Sequence, residues 1–194
     1  MVNDIDKNDI EQLAASYREL FLASEGGAIG LFTSIARLRG VHRRLIAEPK
    51  LAELDILAQH VDPLDTGTLI DIFRAEENAC LLGTDAVRDG IDVPGRSLRL
   101  IAFDRVPWPR PTILHKARRE AADSKTRYDD MLTRLKLKQA FGRLVRRADD
   151  HGVFVLLDKA FPSRLAGAFP DGVEIQRLGL AEVIAHTREF LAQK

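Results

Sequence analysis

The chain has 194 residues, 45% of them apolar, which is enough for one hydrophobic core and too apolar for a disordered chain. Lysine plus arginine equals aspartate plus glutamate at 29 each, so whole-chain charge is uninformative about partners and only its distribution counts. One cysteine, five histidines without ligand spacing and no apolar run near the roughly 18 residues of a membrane span exclude a disulfide framework, a cysteine metal site and a spanning helix. The chain reads as soluble and cytoplasmic, without a membrane partner and with no metal assigned.

In chain order, apolar periodicity predicts a helix near Ile10 to Ala23, with Leu13, Tyr17, Leu20 and Phe21 on one side and "SEGG" closing it. Beyond it, "AIGLFTS", "LDILAQ", "ACLLGTD", "LRLIAFD" and "VFVLLD" are short, mostly unbroken apolar runs, the pattern of strands buried on both faces of a parallel sheet. Cys80 lies inside the third run and reads as a buried strand residue. Helical segments fall between and after these runs: "SIARLRGVHRRLIA", "TGTLIDIFRAEEN", one long basic stretch from "TILHK" to "LVRR", and the terminal "LAEVIAHTREFLAQ". Late "VEIQRL" reads as an edge strand, and the proline-rich Val106 to Pro111 as a rigid loop. This alternation predicts an α/β fold, a doubly wound, mostly parallel sheet flanked by helices. Residues 1–25 form a helical lead-in to a domain over 26–194.

Ligands of open parallel sheets sit beyond the carboxyl ends of the strands. Polar residues fall at four of those ends: Thr33-Ser34, Gly83-Thr84-Asp85, Asp104-Arg105 and Asp158-Lys159. Charge gathers nearby, with 12 Lys or Arg against 4 Asp or Glu between Arg110 and Arg147. On a helical wheel Gln139, Arg143 and Arg146 share a narrow face, opposite Leu137, Phe141, Leu144 and Ala148. Two arginines without a facing carboxylate repel each other unless an anion lies between them. Gly142, at a helix-interior cost of about 1 kcal/mol, suits a close approach to the backbone. A solvated basic helix with a tolerated glycine explains the same residues as well. The turn "GTDAVRDGIDVPG" offers backbone N–H groups to a phosphate and Asp92 to a sugar hydroxyl, although an ordinary connection uses the same residues.

Taken in order, "LFTS", "GTDAVRDGIDVPG", "PWPRP" and "QAFGRLVR…DDHGVFVLLD" resemble motifs IV, V and VI of superfamily 2 helicases, in the DinG-type branch related to the XPD iron–sulfur helicases. The resemblance covers roughly residues 26 to 160, and its most specific part is the Q-x-x-G-R-x-x-R pattern followed by D-x-G-x-x-x-x-x-D. It implies a RecA-like helicase C-terminal domain, the second of two motor domains. By position, Arg143 and Arg146 would be arginine fingers on ATP held by the other domain, with Gln139, Gly142, Gly90 and Asp92 lining the nucleotide cleft. Thr33, Ser34, Thr84 and Asp85 would meet single-stranded DNA. The family commonly has an aromatic residue and a glutamate where Val87, Arg88 and Asp89 stand, and phenylalanine where Trp108 stands; Trp108 has two readings, stacking on a base or packing, and packing is the expected one.

No G-x-x-x-x-G-K-[ST] cradle occurs in the sequence, nor the four cysteines of an iron–sulfur cluster. In such helicases both belong to the first motor domain and its insertions. ATP and Mg²⁺ are therefore expected to be shared with an N-terminal motor domain, no cluster is expected in this chain, and the chain is expected to be the C-terminal half of a larger helicase, inactive by itself. Two other readings fit the same residues: a nucleotide-independent nucleic-acid or protein binding module, and half of another superfamily 2 translocase.

Overall fold

The computed structural model describes residues 1–90, 93, 97–145 and 150–193. Five strands, β1 (Ala28–Leu31), β2 (Asp55–Ala58), β3 (Ala79–Gly83), β4 (Leu100–Phe103) and β5 (Val153–Leu156), form one sheet in the order β2-β3-β1-β4-β5. Every pairing is parallel; Ile29 of β1 stands opposite Leu81 on one side and Ile101 on the other. A parallel sheet must be covered on both faces, and the all-apolar central strands show that it is. The fold is the α/β doubly wound sheet that the alternating pattern predicts.

Strand residues alternate between two cores. One face carries α1 (Ile10–Ser24), α2 (Ile35–Leu45) and, from beyond β5, the terminal helix α7 (Leu180–Ala192). The other carries α3 (Thr66–Ala75), the short α4 (Asp85–Gly90) and α6 (Lys125–Leu144). Between them α5 (Ile113–Glu120) packs along α6, and none of its residues is buried. Helix α1 starts at an Asp9 cap, whose carboxylate accepts from the Glu11 and Gln12 N–H groups. Its Tyr17 is fully buried, stacks on Phe32 and donates to Ala102 O at 3.1 Å. A Cβ at Gly30 would stand 2.8 Å from both the Tyr17 ring and Leu82, so glycine lets the ring lie against the central strand.

Three expectations are corrected. The long basic helix is two helices, broken at residues 121–124, where Ser124 caps α6 by accepting from the Arg127 N–H. Arg119 bonded to Asp129 at 2.7 Å and His115 stacked on Tyr128 fold α5 back along α6. "VEIQRL" is not a strand; within it only Leu178 pairs, in an isolated parallel bridge to Val2. Trp108 does not pack inside: it is 39% exposed, with the Arg164 guanidinium 6.0 Å from its ring centre.

No helix among the described residues is long and apolar enough to cross a membrane. At the end of β3 a Cβ on Gly83 would lie 2.3 Å from Val87 of α4. Gly83→Ala is therefore expected to push α4 off the sheet and cost about 1–3 kcal/mol, as overpacking does. Adding Val87→Ala should recover part of that loss in urea denaturation; full additivity of the two losses would show that the two side chains do not compete for one space.

Candidate functional site

Because the strands are parallel, their carboxyl ends share one edge of the sheet. Asp104, just after β4, has no exposed surface. Its carboxylate accepts from the Thr33 N–H at 3.0 Å, the Thr33 hydroxyl at 3.2 Å and Arg37 Nε at 2.5 Å. Burial pushes the Asp104 carboxyl above the ordinary carboxylate range, and the Arg37 guanidinium offsets this in part. Arg37 also donates to Lys7 O at 2.6 Å, and Arg110 returns from the proline-rich loop to donate to Thr33 O at 3.1 Å. Ser34 caps α2 by accepting from the Arg37 N–H at 3.3 Å, which leaves its own hydroxyl proton for an outside acceptor. Asp158 plays the matching part after β5: it pairs with Lys7 at 2.7 Å and accepts from the Val106 and Ala160 N–H groups.

After β3, Thr84 is buried, and both its N–H and its hydroxyl donate to Gln59 Oε1 at 2.9 Å. Gln59 Nε2 passes the chain of bonds to the Thr66 hydroxyl at 2.9 Å. Next to it His60 adopts a left-handed backbone, φ 67°, held by two bonds from Arg39 to its carbonyl. A hollow of about 420 Å³ opens beside it, lined by Arg39, His42, Arg43 and His60. Arg43 has no carboxylate partner among the described residues. This end of the edge is cationic and open.

The third part joins two segments far apart in sequence. Asp85 opens α4 and pairs with Arg88 at 2.7 Å and with Lys136 of α6 at 3.4 Å. Arg88, whose side chain is only 5% exposed, also bonds Asp89, so it has a structural task in bracing the short helix. From the last turn of α6, Arg143 Nη2 donates to Asp89 O at 3.1 Å, directly before Gly90. Gln139 is exposed on α6, and a Cβ on Gly142 would meet nothing within 4 Å. Among the described residues no contact demands a glycine there. The wheel drawn through Arg143 stops at Leu144, because the cap residue Val145 is already extended. Arg146 and Asp92 lie outside the described residues.

Thus the structure brings Arg143 to the Asp89 carbonyl, one residue before Gly90, sets Thr33, Ser34 and Thr84 along the neighbouring strand ends, and bonds Asp85, next to Thr84, to Lys136 of α6. Sequence reasoning did not single out Gln59, Arg37 or the accepting role of Asp104. A signal existed for the last: an aspartate directly ending the apolar run "LRLIAFD" has no reason to be buried unless it accepts several bonds.

A family model for the helicase C-terminal domain matches residues 17–174. The ATP-dependent helicase DinG of Mycobacterium tuberculosis is 34% identical over 157 residues, 78% of this chain and 23% of that protein. The ATP-dependent DNA helicase YoaA of Escherichia coli is 34% identical over 165 residues, 81% of this chain and 25% of that protein. A solved XPD apo structure superposes with a TM-score of 0.67 over 91% of this chain and 38% of that one; its 16% identity speaks to the RecA-like fold alone. The chain spans about a quarter of the length of these curated relatives.

Removing Arg37 would leave the buried Asp104 carboxylate with only the more distant Arg105 Nε, at 3.9 Å, as a cation. Arg37→Ala is expected to cost about 3–5 kcal/mol at pH 7. A carboxyl whose folded pKa lies above its unfolded value favours the fold at low pH and loses that contribution as pH rises through the folded value. Without the cation the raised pKa rises further, so the penalty should shrink on going down to about pH 5. Urea denaturation at the two pH values checks this, and a pH-independent penalty would show that Asp104 is not the group left unpaired.

Proposed function

The chain belongs to the helicase C-terminal domain family, in its DinG-type branch, and we propose that it acts as the second motor domain of an ATP-dependent DNA helicase. The observation that carries the proposal is the bond from Arg143 to Asp89, which joins the Q-x-x-G-R segment to the Gly-Thr-Asp turn at the strand-end edge. In this reading Arg143, Arg146, Gln139, Gly142, Gly90 and Asp92 form half of a nucleotide site, and a first motor domain supplies the other half. The described donors fit a polyphosphate: Arg143 is a half-exposed guanidinium, Gln139 is exposed, and Gly142 leaves open space beside them. Bound there, ATP with Mg²⁺ would supply the free energy of phosphoryl transfer. The Mg²⁺ and the phosphate cradle are assigned to the first domain, since this sequence has no G-x-x-x-x-G-K-[ST].

Arg143 then has one task. Its planar guanidinium places positive charge where negative charge grows during transfer, a contribution that acts in the transition state rather than in binding. The Asp89 carbonyl orients it from behind, and Lys136 bonded to Asp85 fixes α4 against α6 so that the orientation is kept. Single-stranded DNA would lie along Thr33, Ser34, Thr84 and Asp85, with the Ser34 hydroxyl and the cationic hollow at Arg39 and Arg43 meeting phosphates rather than bases. Closure of the two domains on ATP and their reopening after hydrolysis would then move the strand.

In the longer helicase that carries this domain, Arg143→Ala is expected to lower DNA-stimulated ATP turnover by about 10³ to 10⁵, with ATP affinity much less affected. Arg143→Lys should not restore it, because a point charge lacks the planar fork. Steady-state ATPase assays with a nucleotide-binding titration decide the matter. Near-normal turnover in the alanine variant would return this helix to a solvated surface and favour a nucleotide-independent binding module.

A further inference from the structure

The proline-rich loop after β4 is fastened at both ends to the strand-end edge. At its start the Val106 N–H donates to Asp158 Oδ2, beyond the end of β5, at 3.1 Å. At its far end Arg110 Nη2 donates to Thr33 O, beyond the end of β1, at 3.1 Å. Trp108 stands midway, two residues from either anchor, so even an extended chain keeps it within about 7 Å of each. Val106 and Pro107 are buried, yet the indole of Trp108 is carried outward. A ring that served packing would face inward as its two neighbours do. The Trp108 N–H is itself bonded to Val106 O at 2.9 Å, so the exposed ring is presented by a fixed backbone.

A cation accompanies the ring. Arg164, from the short helical turn Ser163–Ala168 that follows β5, holds its guanidinium over the indole, 6.0 Å from the ring centre. It is steered from behind by Asp130 of α6, whose Oδ2 accepts from Arg164 Nε at 2.8 Å. The Asp130 side chain is 5% exposed and that of Arg164 52%, so a buried carboxylate aims a solvent-facing cation. A carboxylate and a guanidinium that serve only each other favour a fork of two parallel bonds. Here Asp130 Oδ1 is buried without a hydrogen-bond partner, and only Nε of the guanidinium is used. Both Nη groups are thereby left for an outside acceptor beside the ring.

We propose that Trp108 is a stacking platform for one base of single-stranded DNA and that Arg164 bonds a phosphate next to that base. This platform extends the DNA-binding edge of the helicase reading and rests on that reading. The edge then runs from the Ser34 hydroxyl past the exposed Arg110 to Trp108 and Arg164, across the ends of β1, β4 and β5. Every base has a π-face, so an aromatic ring adds affinity without reading sequence, as a strand-tracking domain requires. A guanidinium suits the place beside it, because it stacks on aromatic faces and is matched to phosphate oxygens. The ring contributes a base contact to a track that otherwise meets the backbone, and the contact carries no sequence information.

Trp108 is the one tryptophan of the chain, so its fluorescence reports on this site alone. The test titrates the chain with a labelled single strand of about 12 nucleotides, and with an abasic strand of the same length, reading tryptophan emission and label anisotropy together. The strand with bases is expected to quench the emission as it binds, while the abasic strand binds through its phosphates and leaves the emission unchanged. Trp108→Ala is expected to weaken binding of the strand with bases by about tenfold, with the salt slope unchanged, and Trp108→Phe to keep most of the affinity. Arg164→Ala should instead lower the salt slope by about 0.7, the share of one phosphate. Binding without quenching, equal quenching by the abasic strand, or full affinity in Trp108→Ala would overturn the proposal and leave the DNA reading standing. Absence of any DNA binding by the unaltered chain would overturn both.

Discussion

The carboxylate of Asp104 has no exposed surface, yet it accepts three hydrogen bonds, two from Thr33 in the turn after β1 and one from Arg37 of α2, and receives the charge of Arg37. Taking a charge out of water costs several kcal/mol, and only dense hydrogen bonding and a cation offset it. The raised carboxyl pKa shows that burial outweighs the offset. What the network provides is position: the end of β1 cannot move relative to β4 without stranding a charge. Thr33 and Ser34 are held at a fixed height on the edge, and Arg110 and Lys7 are drawn in by the same set of bonds. Asp158 repeats the device after β5 through Lys7 and the Val106 N–H.

From that fixed edge the other parts follow. Gly83 lets α4 start tight against the sheet, Lys136 ties α4 to α6, and Arg143 reaches the end of α4. One side of the edge, around Arg39 and Arg43, is suited to a phosphodiester backbone, and the other, around Arg143 and Gly142, to a polyphosphate. In the proposed reading both regions sit on one sheet, which is the arrangement a motor domain needs if strain at the nucleotide is to reach the DNA.

The three central strands were legible because a strand buried on both faces leaves a continuous apolar run; the edge runs at β2 and β5, only partly buried, became strands as well. The break at residues 121–124 was easily missed, since Ala-Ala-Asp-Ser contains neither glycine nor proline and alanine favours helix; the sign of it was Asp123-Ser124, residues suited to an N-cap, and Ser124 caps α6. Trp108 was expected to pack, but it is 39% exposed although its neighbours Val106 and Pro107 are buried, and a proline-rich loop gives no periodicity from which the side of each residue can be read. The edge strand expected at "VEIQRL" is absent, since pairing depends on a neighbour that the segment itself cannot show. Of the candidate site, the arginine helix and the Gly-Thr-Asp turn were legible as motifs, and the family model spans both. The Gln59 to Thr84 bonds were not, because a glutamine after a strand carries no local sign of the partner 25 residues away.

The central claim is that this edge meets nucleic acid through its backbone. The direct measurement is fluorescence anisotropy of this chain with labelled single-stranded DNA across a salt series, using a mixed and a homopolymeric sequence. The account predicts weak binding that is alike for both sequences and falls with salt by a log–log slope of a few units, about 0.7 for each phosphate neutralised. A flat salt response, or strong discrimination between the two sequences, would contradict it.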